Sequence, residues 1–289
     1  MKKVFSVAFI AILSLTVILY SCQKPENVKT EVINSLSTSN LGLSKEILNL
    51  DKKVSTNKKP RTLRKVVGYA VADGASAIGV FKNTVGFVGP GYAAAFGFLG
   101  GICGSLYHGW QQGDYGAIAP YNPPTGSTPD FITDLGNHSA IGIAHNKFLS
   151  EMINNSEISY SDYQSLMTTS YNYLVKRTAI VFNLNESTIK DNFTLSQYKN
   201  VGVENRISLP LNIENEVSNG GNRNILTYLN EYLIRFQNPN ATFDDLILYS
   251  NYFIENANSQ SNLTSAEVFN IKATISVFKN SLLYWQNVQ

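Results

Sequence analysis

The sequence predicts a mainly α-helical protein, with a small-residue (glycine-zipper) helical hairpin followed by an all-α helical bundle. Three observations predict it. Small residues fall at every fourth position in two neighbouring segments, at Gly68, Ala72 and Ser76, and again at Ala93, Gly97, Gly101 and Ser105. Capping-box pairs mark helix starts at Ser161/Gln164, Thr242/Asp245 and Thr264/Glu267, each a hydroxyl and a side chain three residues on that can satisfy each other's free backbone N–H. Behind the last pair, Val268, Ile271, Ile275, Phe278, Leu282 and Trp285 recur at three and four residues, the period of a long amphipathic helix.

Residues 1–21 read as an export signal. Lys2 and Lys3 precede an apolar run from Val4 to Tyr20, broken only by Ser6, Ser14 and Thr16, which is the layout of a secretory signal. The run ends in Leu19-Tyr20-Ser21-Cys22, which resembles the lipobox of bacterial lipoproteins, where cleavage precedes a cysteine that is then acylated. The resemblance implies a lipid on Cys22 and an anchored protein of the bacterial cell envelope, expected in the outer membrane. An uncleaved N-terminal anchor is the competing reading, although the run is short for a permanent span.

Residues 22–65 read as a polar and basic linker carrying a short helix around 44–50. Lys52, Lys53, Lys58, Lys59, Arg61, Arg64 and Lys65 cluster there with no acid between them. Such a run suits either a solvated tether or contact with anionic lipid headgroups.

Residues 66–110 form the expected hairpin, two helices with small faces joined by the turn-rich stretch 83–91. From Gly89 to Trp110 there is no formally charged residue. Gly97, Gly100, Gly101 and Gly104 each disfavour a helix by about 1 kcal/mol relative to alanine, so a close backbone approach must offset them. Insertion into a bilayer would place Asp73 in the membrane at about 2.5–3.5 kcal/mol, and a protein-buried hairpin is therefore the preferred expectation. Cys103, between Ile102 and Gly104, reads as a small buried hydrophobe. Gly89-Pro90-Gly91-Tyr92-Ala93-Ala94 fits the loose form GxGxxA, but Pro90 removes a backbone donor and no βαβ unit surrounds it, so it carries no dinucleotide site.

Residues 111–136 hold Gly113, Gly116, Pro120, Pro123, Pro124, Gly126 and Pro129 and read as a loop. Residues 137–289 read as the all-α domain. Its first helix, 137–154, places His138, Ile141, His145, Phe148 and Met152 on one stripe. The two imidazoles stand about 10.5 Å apart along the axis, too far to chelate one ion unaided. With Asp134 they make a candidate polar pocket, weighed against a pair of core histidines satisfied by hydrogen bonds. Met167, Tyr171, Leu174 and Val181 mark a second helix, and Leu226, Leu229, Leu233 and Phe236 another. The stretch 183–222 between them is broken by Gly202, Pro210, Gly220 and Gly221.

A net charge of +2 with 15% charged residues excludes a general nucleic-acid binder. No metal-ligand motif, nucleophile elbow or cofactor fingerprint is present, so no metal, cofactor or catalytic residue is expected. The 16 tyrosines suit helix interfaces. The lipobox, the small-residue hairpin, "IGIAHNKFL" and the terminal "FKNSLLYW" together resemble uncharacterised lipoproteins of the Bacteroidota type. The segment from Val66 to Trp110 is also similar to double-glycine bacteriocins, whose paired GxxxG helices act on membranes. The first expectation is a lipid-anchored envelope protein that binds or associates with another envelope protein. A membrane-active, bacteriocin-like effector is the alternative, and an enzyme with a His138/His145 pocket stands third.

Overall fold

The computed structural model describes residues 45–54, 61–84, 90–113, 137–155, 158, 162–204, 211–218, 220–238 and 240–287. The chain divides into two units, Met1–Gly42 and Leu43–Gln289. The first unit, with the export signal and Cys22, lies outside the described residues, as do the turn at 85–89 and most of the loop, including Asp134. Among the described residues there is no strand. They form α1 (Lys45–Val54), α2 (Arg61–Thr84), α3 (Pro90–Gln112), α4 (His138–Ile153), α5 (Tyr163–Val181), α6 (Glu186–Asn192), α7 (Leu195–Glu204), α8 (Ile213–Ser218), α9 (Arg223–Phe236), α10 (Phe243–Asn256) and α11 (Ser265–Asn287), with a 3-10 turn at Ala257–Ser259.

Helix starts follow local chemistry. Pro90 opens α3, where its fixed φ and missing N–H cost nothing. The Asn137 side chain accepts from Ala140 N at the start of α4, and Asn222 does the same for Ile225 N at α9. Thr242 and Asp245 exchange both bonds of a capping box at α10. At α11 the Thr264 N–H donates to Glu267 at 2.7 Å and the Glu267 N–H donates back at 3.3 Å. The start of α5 departs from the sequence expectation: the cap is Asp162, accepting from Ser165 N at 2.7 Å, not Ser161. A carboxylate at that position also answers the positive end of the helix dipole.

The packing centres on α3 and α11. Both α2 and α4 touch each of them, making a four-helix core. On one side α5 and α7 lie against α3, and on the other α9 and α10 lie against α11, with α1 against α10. Buried tyrosines join neighbouring elements within each flank: Tyr171 donates to Phe193 O at 2.6 Å and Tyr228 to Phe253 O at 2.7 Å. Cys103 is buried and donates to Tyr198 O at 3.1 Å.

α11 is not the one-sided helix that its apolar stripe suggests. Ala273, Thr274, Ile275, Ser276, Val277 and Phe278 are all buried, so its middle is covered all round. The second face carries small and hydroxyl residues, which admit neighbours closely. A Cβ at Gly142 of α4 would overlap Ser276 O, and the Thr274 hydroxyl satisfies itself on Asn270 O at 2.9 Å, a bond that lets a polar residue be buried without an outside partner. Among the described residues, no helix is long and apolar enough to cross a membrane.

Candidate functional site

The one acid in the otherwise uncharged middle of α2 ends up at the centre of the core. Asp73 is fully buried, and its surroundings come from three other helices. Ser281 of α11 donates its hydroxyl to Asp73 Oδ2. His145 of α4 places Nε2 at 3.5 Å from the same oxygen. Ser105 of α3 and Trp285 of α11 also bear on the carboxyl. This convergence needs the helices close together. Gly101 provides it, since a Cβ there would stand 3.2 Å from the His145 ring and Val277 and 3.4 Å from Asp73 O.

The orientation of His145 is fixed in two steps. Asn146 donates its amide N–H to Asn280 O at 2.7 Å, which leaves its oxygen to accept. The His145 Nδ1, 3.2 Å from that oxygen, therefore carries the hydrogen, and Nε2 turns a bare lone pair toward Asp73. Burial pushes the Asp73 carboxyl up to about 8, against the pull of the Ser105, Ser281 and Trp285 donors. It pushes His145 down to about 4, against Asn146 and Gly101 O. Desolvation disfavours each charged form, so at neutral pH the junction holds a neutral carboxylic acid facing a neutral imidazole.

The hydrogen-bond order of this arrangement differs from that of a hydrolytic triad. The Ser281 hydroxyl donates to the acid and not to the imidazole, so no base stands ready to take its proton. Asp73, Ser281 and His145 are all fully buried.

The remaining sequence-selected residues fall in different places. His138 is half-buried at the first position of α4, about 10.5 Å along the helix from His145, so the two imidazoles do not share the junction. A Cβ at Gly68 would stand 3.3 Å from the His108 ring, and His108 packs edge-on to Tyr69, which stacks on Trp285 at 3.8 Å. Ala72 and Ser76 meet α3 chiefly at Gly104 and Gly100. A Cβ at Gly101 would meet α4 and α11 at 3.2 Å and the Asp73 O of α2 at 3.4 Å. Gly97 is buried, while the Ala93 side chain, like Asp134 and Cys22, is outside the described residues. Among those described, no three His, Cys, Asp or Glu side chains gather as a metal site.

Nothing in the sequence groups Asp73 with Asn146, Ser281 and Trp285. A signal was present in a lone acid set among small residues on α2, but the partners answering it lie on α4 and α11. Comparison with protein-family models, with curated proteins and with solved structures gives no match.

Proposed function

We propose that the chain is a lipid-anchored bacterial envelope protein, held at the outer membrane by acyl chains on Cys22, whose helical body works by binding another envelope component. The observation that carries this reading is Lys2/Lys3, the apolar run to Tyr20, and Leu19-Tyr20-Ser21-Cys22 directly after it. A run of this length followed at once by cysteine suits processing and acylation, and two or more chains give durable attachment.

In this reading the small-residue helices 66–110 are a hairpin buried in protein and not a membrane-inserting device. What supports it is the seam itself. A Cβ at Gly104 would overlap Ala72 O and sit 2.6 Å from Ser76 Oγ, and one at Gly100 would sit 2.8 Å from Ser76 O. Close backbone approach of this kind is what offsets the helix cost of glycine. A binding role also fits a core whose reactive-looking residues are sealed from solvent.

Metabolic labelling with a fatty-acid analogue tests the anchor. The wild-type protein is expected to take up label and sediment with membranes, while Cys22→Ala loses the label and leaves the membrane fraction. A Cys22→Ala protein that is still labelled would sink the proposal.

A further inference from the structure

A second buried polar constellation lies away from Asp73. Arg235 of α9 has a fully buried side chain, and its guanidinium fork meets the partly exposed Asp51. Nε and Nη2 donate to Asp51 of α1 at 3.1 and 3.0 Å, one to each carboxylate oxygen. The Tyr249 hydroxyl of α10 adds a third donor to Asp51 at 2.8 Å. On the far side, Nη1 is held by Glu231 Oε2 at 2.9 Å, and the Phe253 ring lies 5.6 Å from the guanidinium carbon. A planar fork with a hydroxyl beside it is the geometry that reads a carboxylate.

Every receptor group here belongs to α9 or α10, which pack on each other and on α11. Only the carboxylate comes from α1. That helix has 10 residues, too few to persist alone in water, and it seats two apolar side chains, Ile47 and Val54, both buried. Ile47, Asp51 and Val54 fall at i, i+4 and i+7 on one face. Lys53 adds an exposed contact to Asp245 at 3.7 Å. Neutralising Arg235 alone would not call for Asp51, because Glu231 already stands one turn away on α9.

We propose that the groove formed by Arg235, Tyr249 and Phe253 is a recognition site for an amphipathic helix presenting one carboxylate between two apolar residues, and that α1 is its resident, exchangeable occupant. The partner it fits is a helical segment of another protein that carries one carboxylate between two apolar residues one turn to either side, as α1 does, and it would enter as α1 leaves. This inference stands apart from the lipidation of Cys22.

The test uses the full chain in detergent and a labelled peptide of residues 43–56. In the Asp51→Ala chain, hydrogen exchange over 45–54 is expected to rise while α9, α10 and α11 keep their protection. The peptide should then bind that chain, bind the wild-type chain more weakly because α1 competes, and lose about tenfold in affinity when it carries Asp51→Asn. Tyr249→Phe, which in the Asp51→Ala chain removes no remaining bond to α1, should weaken peptide binding to that chain several-fold. Equal binding of the two peptides would overturn the proposal. So would unchanged exchange over 45–54 in Asp51→Ala, or loss of protection in α9 to α11 together with α1, which would make α1 an integral part of the body.

Discussion

Replacing Asp73 by asparagine isolates the buried acid, because the amide keeps the shape and cannot ionise. The carboxyl titrates near 8 in the fold against about 3.9 unfolded. The folded state therefore holds the extra proton, and this contribution to stability is full below the unfolded pKa and drains away as pH rises toward 8. His145 runs the other way. It titrates near 4 in the fold against about 6.5 unfolded, so its contribution is present above 6.5 and lost as pH falls toward 4. Between about pH 4 and 6.5 the two slopes cancel, each being about 1.4 kcal/mol per pH unit. From about 6.5 to 8 only Asp73 remains, and the wild type should lose about 2 kcal/mol over that interval. Asp73→Asn should instead gain stability from pH 4 to 6.5 and hold it to pH 8. Urea unfolding at pH 5, 6.5 and 8 reads the difference directly, with groups elsewhere cancelling between the two proteins. Parallel curves would refute the argument, because they would show that the fold holds no extra proton at Asp73.

Other substitutions probe the same core. Gly104→Ala should cost about 2 kcal/mol or more despite a gain of about 1 in helix propensity, because Ala72 O and Ser76 Oγ leave no space for a Cβ. Gly101→Ala should change stability by less than about 1 kcal/mol, since its neighbours at 3.2 Å are side chains of His145 and Val277 that can shift slightly. Chemical denaturation of the pair checks this, and a reversed order would refute the seam described above. His145→Ala should lower stability by roughly 1–3 kcal/mol through lost packing and a bereft Asp73, read as a fall in melting temperature.

Much of the helical layout is legible because it is local. The pairs Thr242/Asp245 and Thr264/Glu267 announce their helices within four residues, and the stripe from Val268 to Trp285 fixes the last one. What is not legible is which face meets which neighbour. Gly97 and Gly101 share one spacing of four and Gly100 and Gly104 share another, and adjacent positions differ by about 100° around the axis. Periodicity alone cannot rank the two sets, and it is Gly100 and Gly104 that α2 approaches. Asp73 is visible as an oddity, but Ser281 and His145 become its neighbours only through tertiary packing. Asp51 and Arg235 likewise join the first described helix to a late one. The second face of α11 reads as polar until small hydroxyl side chains are recognised as a buried surface.

The two glycine sets serve different interfaces, and this bears on what α2 and α3 are for. Gly100 and Gly104 belong to the seam between these two helices and would survive if the pair left the body together. Gly101 faces His145 and Val277, and Gly74 makes way for Phe278, so these serve α4 and α11. Asp73 belongs with the second group. Of the side chains around its carboxyl, Ser105 alone lies on α3, while His145, Ser281 and Trp285 come from elsewhere. An extracted pair would carry an acid stripped of those partners into lipid, at about 2.5–3.5 kcal/mol if ionised, and would leave two glycines without the contact that offsets them. The arrangement therefore favours a pair built for its place inside the body. Binding would then fall to groups outside the α2–α3–α4–α11 core, such as the proposed site at Arg235 and Tyr249 that α1 covers.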